Sequence, residues 1–279
     1  MTGKLMKYEI KSSMKLMAVI WAALIAASLL FSLSLHVLTD IAVERPGGGI
    51  SFAIGIFEFI TGLMYFAVFV ALIVATLVIV IMRFYKGLLG DEGYLMHTLP
   101  VKPWQLITSK GIIAALMLIV MISVLVAFLS ILVLAGVSGL ETIPEMFGAL
   151  GAIWEEEPRM VLVIVEAIIL LVLSVLKSVY QIYAALAIGQ LANKHRILLS
   201  LGAYIGISMI MSILFLLIVA ASDSVGTISW LSVFIANNDS DPFAISQMAI
   251  GIMFVLTAVQ LAAFHVVTER ILSLKLNLQ

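Results

Sequence analysis

The chain has 279 residues, 63% of them hydrophobic and 11% charged, where soluble domains run at about 45–50% apolar and about 25% charged. Six stretches of at least 23 residues carry few or no charges and take up more than half the chain, so no soluble catalytic or nucleotide-binding domain fits between them. The net charge of −1 offers no basic face for nucleic acid once the residues flanking the apolar stretches are assigned.

Each apolar stretch exceeds the roughly 20 helical residues that cross a hydrocarbon core about 30 Å thick. The expected fold is therefore all-α: a polytopic membrane protein forming one transmembrane domain over 1–279. Residues 1–15 come first. At about 100° per residue, Lys4, Lys7, Lys11 and Lys15 fall on one stripe about 80° wide, opposite Met6, Ile10 and Met17. An amphipathic helix on the membrane surface fits this pattern better than lysines that merely set orientation. The first span, 16–38, is longer than the apolar core of a signal peptide and reads as retained. Pro46 and Gly47 to Gly49 read as a turn before the second span, 59–82. Glu58 lies close to its outer end.

The segment 83–110 is built from chain breaks. Gly90 ends the preceding helix, Asp91 suits the N-cap of a short helix reaching Leu99, and Pro100 stops it. Pro103 then suits the first turn of a helix that climbs through Trp104, Leu106 and Ile107 into the third span, 111–135. The short helix is either an interfacial turn, with Tyr94, Leu95 and Trp104 against headgroups, or a docking knob for a soluble partner.

The fourth span, 160–190, carries Glu166 and Lys177. With Glu166 at 0°, Lys177 falls at about 20°, Gln181 at about 60° and Ser174 at about 80°, one polar stripe. The two charges lie about 16 Å apart along the axis and cannot pair. The stripe either lines a substrate path or mobile interface, or packs helix to helix while Lys177 snorkels. In the fifth span, 197–221, Gly202 and Gly206 form a GxxxG pair for close helix packing, within the subunit or against another. The sixth span is 244–268, preceded by a short loop with room only for a small element around Trp230 to Ile235.

Charge is segregated. Lys4, Lys7, Lys11, Lys15, Arg83, Lys86, Lys102, Lys110, Lys194, Arg196, Arg270 and Lys275 lie on one side of these spans, 12 of the 15 basic residues. The other side holds Arg45 and Arg159 among Asp40, Glu44, Glu141, Glu145, Glu155, Glu156, Glu157, Asp223, Asp239 and Asp241. The positive-inside rule predicts cytoplasmic N- and C-termini and three acidic external loops. The absence of cysteine excludes disulfides and thiolate metal sites.

The run Glu92, Gly93, Leu95, Leu99, Pro100, Val101, then Leu106 and Lys110, resembles the cytoplasmic segment between the second and third helices of type 2 ATP-binding-cassette (ABC) exporter permeases. The KYEIKSS and RFYKGLLGDEGYLMHTLPV stretches are similar to those permeases common in Gram-positive bacteria. The resemblance implies a multi-pass subunit of the bacterial plasma membrane. In that family the short helix couples to the ATPase, and the implied contacts here are Asp91, Glu92, Tyr94 and Leu95. It further implies cytoplasmic ABC ATPase subunits as partners, which bind ATP and Mg, no cofactor in this chain, and a second permease subunit, identical or related. A periplasmic stalk does not fit the short external loops.

No phosphate loop, HExxH zinc motif or intramembrane carboxylate pair occurs, so no catalytic or metal-binding residue is expected. Gly136, Val137, Ser138 and Gly139 resemble the GxSG signature of rhomboid proteases, with His265 as candidate base. The topology places Ser138 and His265 at opposite ends of their spans, on the order of 30 Å apart. His36, His97 and His195 read as isolated. The expected function is ATP-driven export of a substrate such as an amphipathic drug, peptide or lipid. The alternatives are an ion-gradient-driven secondary transporter or channel with Glu166 and Lys177 as its ionic site, or a scaffold without transport.

Overall fold

A computed structural model of the chain describes residues 18–19, 21–31, 34, 48–89, 103–133, 144, 148, 151, 158–192, 194–224, 233–237 and 241–274. Among these the secondary structure is helical, with no strand. We number the helices α1 (Trp21–Phe31), α2 (Gly48–Phe84), α3 (Pro103–Val133), α4 (Met160–Gly189), α5 (Arg196–Ser224) and α6 (Pro242–Leu274). Five helical segments are long and apolar enough to cross a membrane: Phe52–Leu89, Trp104–Ala127, Met160–Gly189, Arg196–Leu217 and Phe243–Ser273. Within the predicted first span the longest described stretch is the 11 residues of α1, fewer than the roughly 20 that a crossing requires.

The expected 160–190 span matches α4 within a residue. Other boundaries move outward. Gly48 and Gly49 belong to the first turn of α2 rather than to a turn before it. At its other end α2 runs past the expected 82 into a π-helical turn, Tyr85–Leu89. The hydropathy window ends where charge begins, whereas the backbone continues as long as its hydrogen bonds do. The 38 residues Phe52–Leu89 extend about 57 Å at 1.5 Å per residue. This is nearly twice the hydrocarbon thickness, so α2 tilts strongly or continues beyond the core. As expected, Pro103 opens a helix that runs uninterrupted into the third span.

Sequence explains the start of α6. The Asp241 carboxylate accepts hydrogen bonds from the backbone N–H groups of Phe243 (3.1 Å) and Ala244 (3.4 Å), and Pro242 occupies the first helical position, where its missing N–H costs nothing. Between α4 and α5 the chain turns within residues 190–195. His195 adopts φ 56°, a left-handed conformation that His tolerates better than a β-branched residue, and its carbonyl accepts the first α5 bond from Leu199 N–H. A short connection makes α4 and α5 antiparallel neighbours. In the loop before α6, residues 233–237 form one helical turn, where a small element around Trp230 to Ile235 was expected.

The chain divides into two compact units. The first comprises residues 1–2, 81–115 and 153–279, and so contains α4, α5, α6, the C-terminal end of α2 and the N-terminal part of α3. Here α4 packs against both α5 and α6. Its C-terminal half is buried nearly all round, through Val179, Tyr180, Tyr183, Ala184, Ala185, Leu186 and Ala187. Small residues at the end of that run let neighbouring backbones approach, which stands in for the hydrophobic drive that lipid does not supply. The second unit comprises 3–80 and 116–152. In it Trp21, Leu24 and Ser28 form the buried face of α1, and Phe31 stacks on Tyr65 of α2 at 4.5 Å between ring centroids.

The outward surfaces are apolar. On α5 alone Ile197, Leu198, Leu201, Met209, Phe215 and Leu216 are exposed, more contiguous apolar area than a soluble monomer shows. The hydroxyls of Thr61, Ser123, Ser178, Ser208 and Ser212 donate to the carbonyl one turn earlier in their own helices. This is how a polar side chain is satisfied where no water is available.

Candidate functional site

Two clusters in the first unit draw on residues singled out by sequence. The first is the polar stripe of α4. Glu166 accepts a hydrogen bond of 2.6 Å from the Gln247 side-chain amide of α6. Farther along, the Gln181 amide donates to Ser208 Oγ of α5 at 2.9 Å. Ser208 thereby uses both capacities of its hydroxyl, because it also donates to the Tyr204 carbonyl. The Ser174 hydroxyl donates within its own helix to Leu171. The stripe is thus shared between two neighbours instead of lining one surface. The predicted separation of Glu166 and Lys177 holds, since Glu166 is engaged by α6. Lys177 is half-buried and makes no hydrogen bond or ion pair among the described residues.

The contacts fix helix directions. Glu166 meets Gln247 near the start of α4 and α6, and Tyr180 meets His265 farther along both, so these two helices run the same way while α5 runs opposite to them. Three successive crossings require this alternation.

The second cluster gathers around the flanks of the segment 83–110. Phe84, fully buried at the end of α2, stacks on Tyr183 of α4 with centroids 3.7 Å apart and planes 15° from parallel. Tyr183 meets Tyr180 edge-on at 6.0 Å, and Tyr180 meets His265 of α6 edge-on at 5.1 Å. Offset and edge-to-face geometries bring positive ring edges against negative faces. The Tyr183 hydroxyl donates to the Lys110 carbonyl of α3 at 3.3 Å. Leu106, Ile107, Ser109 and Lys110 are all buried, and Trp104 is exposed. The α3 entry turn therefore has an inward face as well as one suited to headgroups.

Two glycines permit this packing. A Cβ on Gly111 would lie 2.9 Å from Tyr180 Cζ and hydroxyl, and one on Gly87 would lie 2.6 Å from Lys110 Nζ. Gly202 and Gly206 behave differently. A Cβ at either meets nothing within 4 Å, so the pair does not serve helix packing within the subunit among the described residues. The reason is that α5 turns this face away from α4.

The predicted ATPase contacts Asp91, Glu92, Tyr94 and Leu95 lie outside the described residues, as do the short helix to Leu99, the surface helix 1–15, His36, His97 and Ser138. His265 belongs to the aromatic cluster. The sequence reading did not single out Phe84, Gly87, Gly111, Tyr180 or Tyr183. Their one visible signal is that Tyr180 and Tyr183, three residues apart, are the only aromatic residues of the fourth span. Among the described residues no group of three His, Asp or Glu side chains is placed to hold a metal ion. The fold and the two clusters define an all-α protein with five helices suited to a membrane and a packed aromatic and polar interior. No family model matches the chain, and no curated protein and no solved structure is detectably similar to it.

The stripe yields one expected result. Lys177→Leu removes a charge that costs roughly 2.5–3.5 kcal/mol at the centre of a bilayer, so membrane insertion and abundance should stay near wild type or rise. A drop in inserted protein, measured by membrane fractionation, would show instead that the ammonium makes a polar contact on which the fold depends.

Proposed function

We propose that this chain is the membrane-spanning subunit of a type 2 ABC exporter, with six spans and both termini in the cytoplasm of a bacterium. It pairs with a second permease subunit and with cytoplasmic ATPases that bind ATP and Mg. The carrying observation is the run from Glu92 to Lys110, together with the burial of its flanks at Gly87 to Leu89 and Leu106 to Lys110. A loop that merely linked two spans would not need both of its flanks buried. In this reading Asp91, Glu92, Tyr94 and Leu95 contact the ATPase, and the chain has no catalytic residue of its own. An amphipathic substrate suits the apolar spans, though all membrane helices are apolar.

The test is Glu92→Lys combined with Tyr94→Ala. Reversing a charge and truncating an aromatic at a docking surface should cost a few kcal/mol of association, on the order of a hundredfold in affinity. The ATPase pulled down by tagged permease should fall accordingly, while expression and detergent stability stay unchanged. Wild-type capture and wild-type stimulation of hydrolysis would discard the coupling assignment.

A second reading has one observation in its favour. Glu166 shared with Gln247, and Lys177 about three turns along the same face of α4 with no ion pair among the described residues, fit an ion-gradient-driven secondary transporter. Substrate uptake by the chain alone, driven by a proton or sodium gradient in vesicles without ATP, would favour it.

A further inference from the structure

Lys110 is 6% exposed. A lysine near the end of a membrane helix ordinarily snorkels its ammonium to water, yet this one turns into protein and reaches the π-helical turn that ends α2. There it lies close over Gly87, where a Cβ would stand 2.6 Å from Nζ and 3.2 Å from Cε. The ammonium thus sits beside the last turn of a long helix, where the helix dipole favours a positive charge. Gly87 and Lys110 bracket the segment assigned above to the ATPase, and their contact closes its base.

The same base is joined to the rest of the unit. One turn before Gly87, Phe84 stacks on Tyr183, which donates to the Lys110 carbonyl and leads through Tyr180 to His265. Tyr180 is also pressed against Gly111, the residue after Lys110. A shift of the α2 terminal turn cannot leave α4 and α6 unmoved without breaking ring contacts, because close-packed interiors repack in discrete steps.

We infer that Lys110 is a positioning residue. Seated over Gly87, it latches the end of α2 to the start of α3, and the chain Phe84–Tyr183–Tyr180–His265 ties that latch to α4 and α6. The inference rests on the coupling reading for its purpose, which is to carry a movement of the docking segment to the helices bearing the polar stripe. Its geometry stands on the contacts alone.

The experiment is a double-mutant cycle of Gly87→Ala and Lys110→Ala in the full chain, reconstituted in lipid nanodiscs. Alanine is a better helix former than glycine, so without the latch Gly87→Ala should be neutral or stabilising. With it, the methyl group must push the Lys110 ammonium off its seat over the turn. Gly87→Ala should then lower the thermal midpoint by about 5 °C and speed backbone hydrogen exchange over Phe264–Leu272 of α6 by about tenfold. In the Lys110→Ala background the same change should add nothing. Equal effects of Gly87→Ala in both backgrounds, or unaltered exchange in α6, would overturn the inference. The second readout uses the ATPase complex: Gly87→Ala should keep ATPase capture and lose at least half of substrate stimulation. Retained stimulation would reduce Lys110 to a structural residue and overturn its positioning role. If the wild-type chain captures no ATPase, the coupling reading falls, while the cycle and the exchange data still decide the latch.

Discussion

Gly111→Val is expected to cost about 3 kcal/mol, on the order of 5–10 °C in thermal midpoint in detergent. The Cβ would lie 2.9 Å from Tyr180 Cζ and hydroxyl, well inside van der Waals contact. Unlike a lysine end, a ring cannot bend away, and this one is held edge-on by Tyr183 and by His265. Relief would require α3 and α4 to separate. Gly202→Val supplies the contrast, since a Cβ there meets nothing within 4 Å. Its effect should stay within the roughly 1 kcal/mol expected of exposed helix positions. Thermal unfolding of the two variants in one detergent decides the matter, and equal losses would mean that the α3–α4 contact is not as close as described.

Tyr183→Ala should be the most damaging single substitution in the first unit, at about 3–5 kcal/mol. Tyr183 is the largest of the fully buried side chains and touches three elements: Phe84 of α2 by stacking, Lys110 of α3 through its hydroxyl, and Tyr180 within α4. Truncation leaves a cavity that rigid neighbours do not fill. Tyr183→Phe keeps the ring and removes only a hydrogen bond of 3.3 Å to a carbonyl, so its cost should be about 1 kcal/mol. The pair separates packing from polarity. Comparable losses in both variants, measured by detergent unfolding, would shift the weight from the stacked rings to the hydroxyl.

Both results concern residues that a linear reading passes over. Gly111 opens an expected span, and Tyr180 and Tyr183 sit in another. Nothing in hydropathy distinguishes a glycine under a tyrosine ring from Gly202, which faces open space. Sequence logic favoured the GxxxG pair because its spacing suits close packing. The structure instead uses single glycines at Gly87 and Gly111, each opposite one large side chain. Spacing states which residues share a face, not what stands across from it.

What the sequence determined by itself was the local layer. An all-α architecture and long apolar helices follow from side chains summed over about 20 residues. Pro103 opening α3 and Asp241 with Pro242 opening α6 follow from chemistry within a single turn. The separation of Glu166 from Lys177 needed only the helical rise. Tertiary structure alone decided which helices meet. Glu166 finds Gln247 across 81 residues and Tyr183 finds Lys110 across 73. It also turned Lys110 inward, against the snorkelling rule, at a point where two helix ends converge and Gly87 carries no side chain. The physical reason is that every apolar helix is equally satisfied by lipid, so hydropathy cannot rank its neighbours. That choice falls to shape and to a few polar groups, and these are properties of pairs of surfaces rather than of a chain.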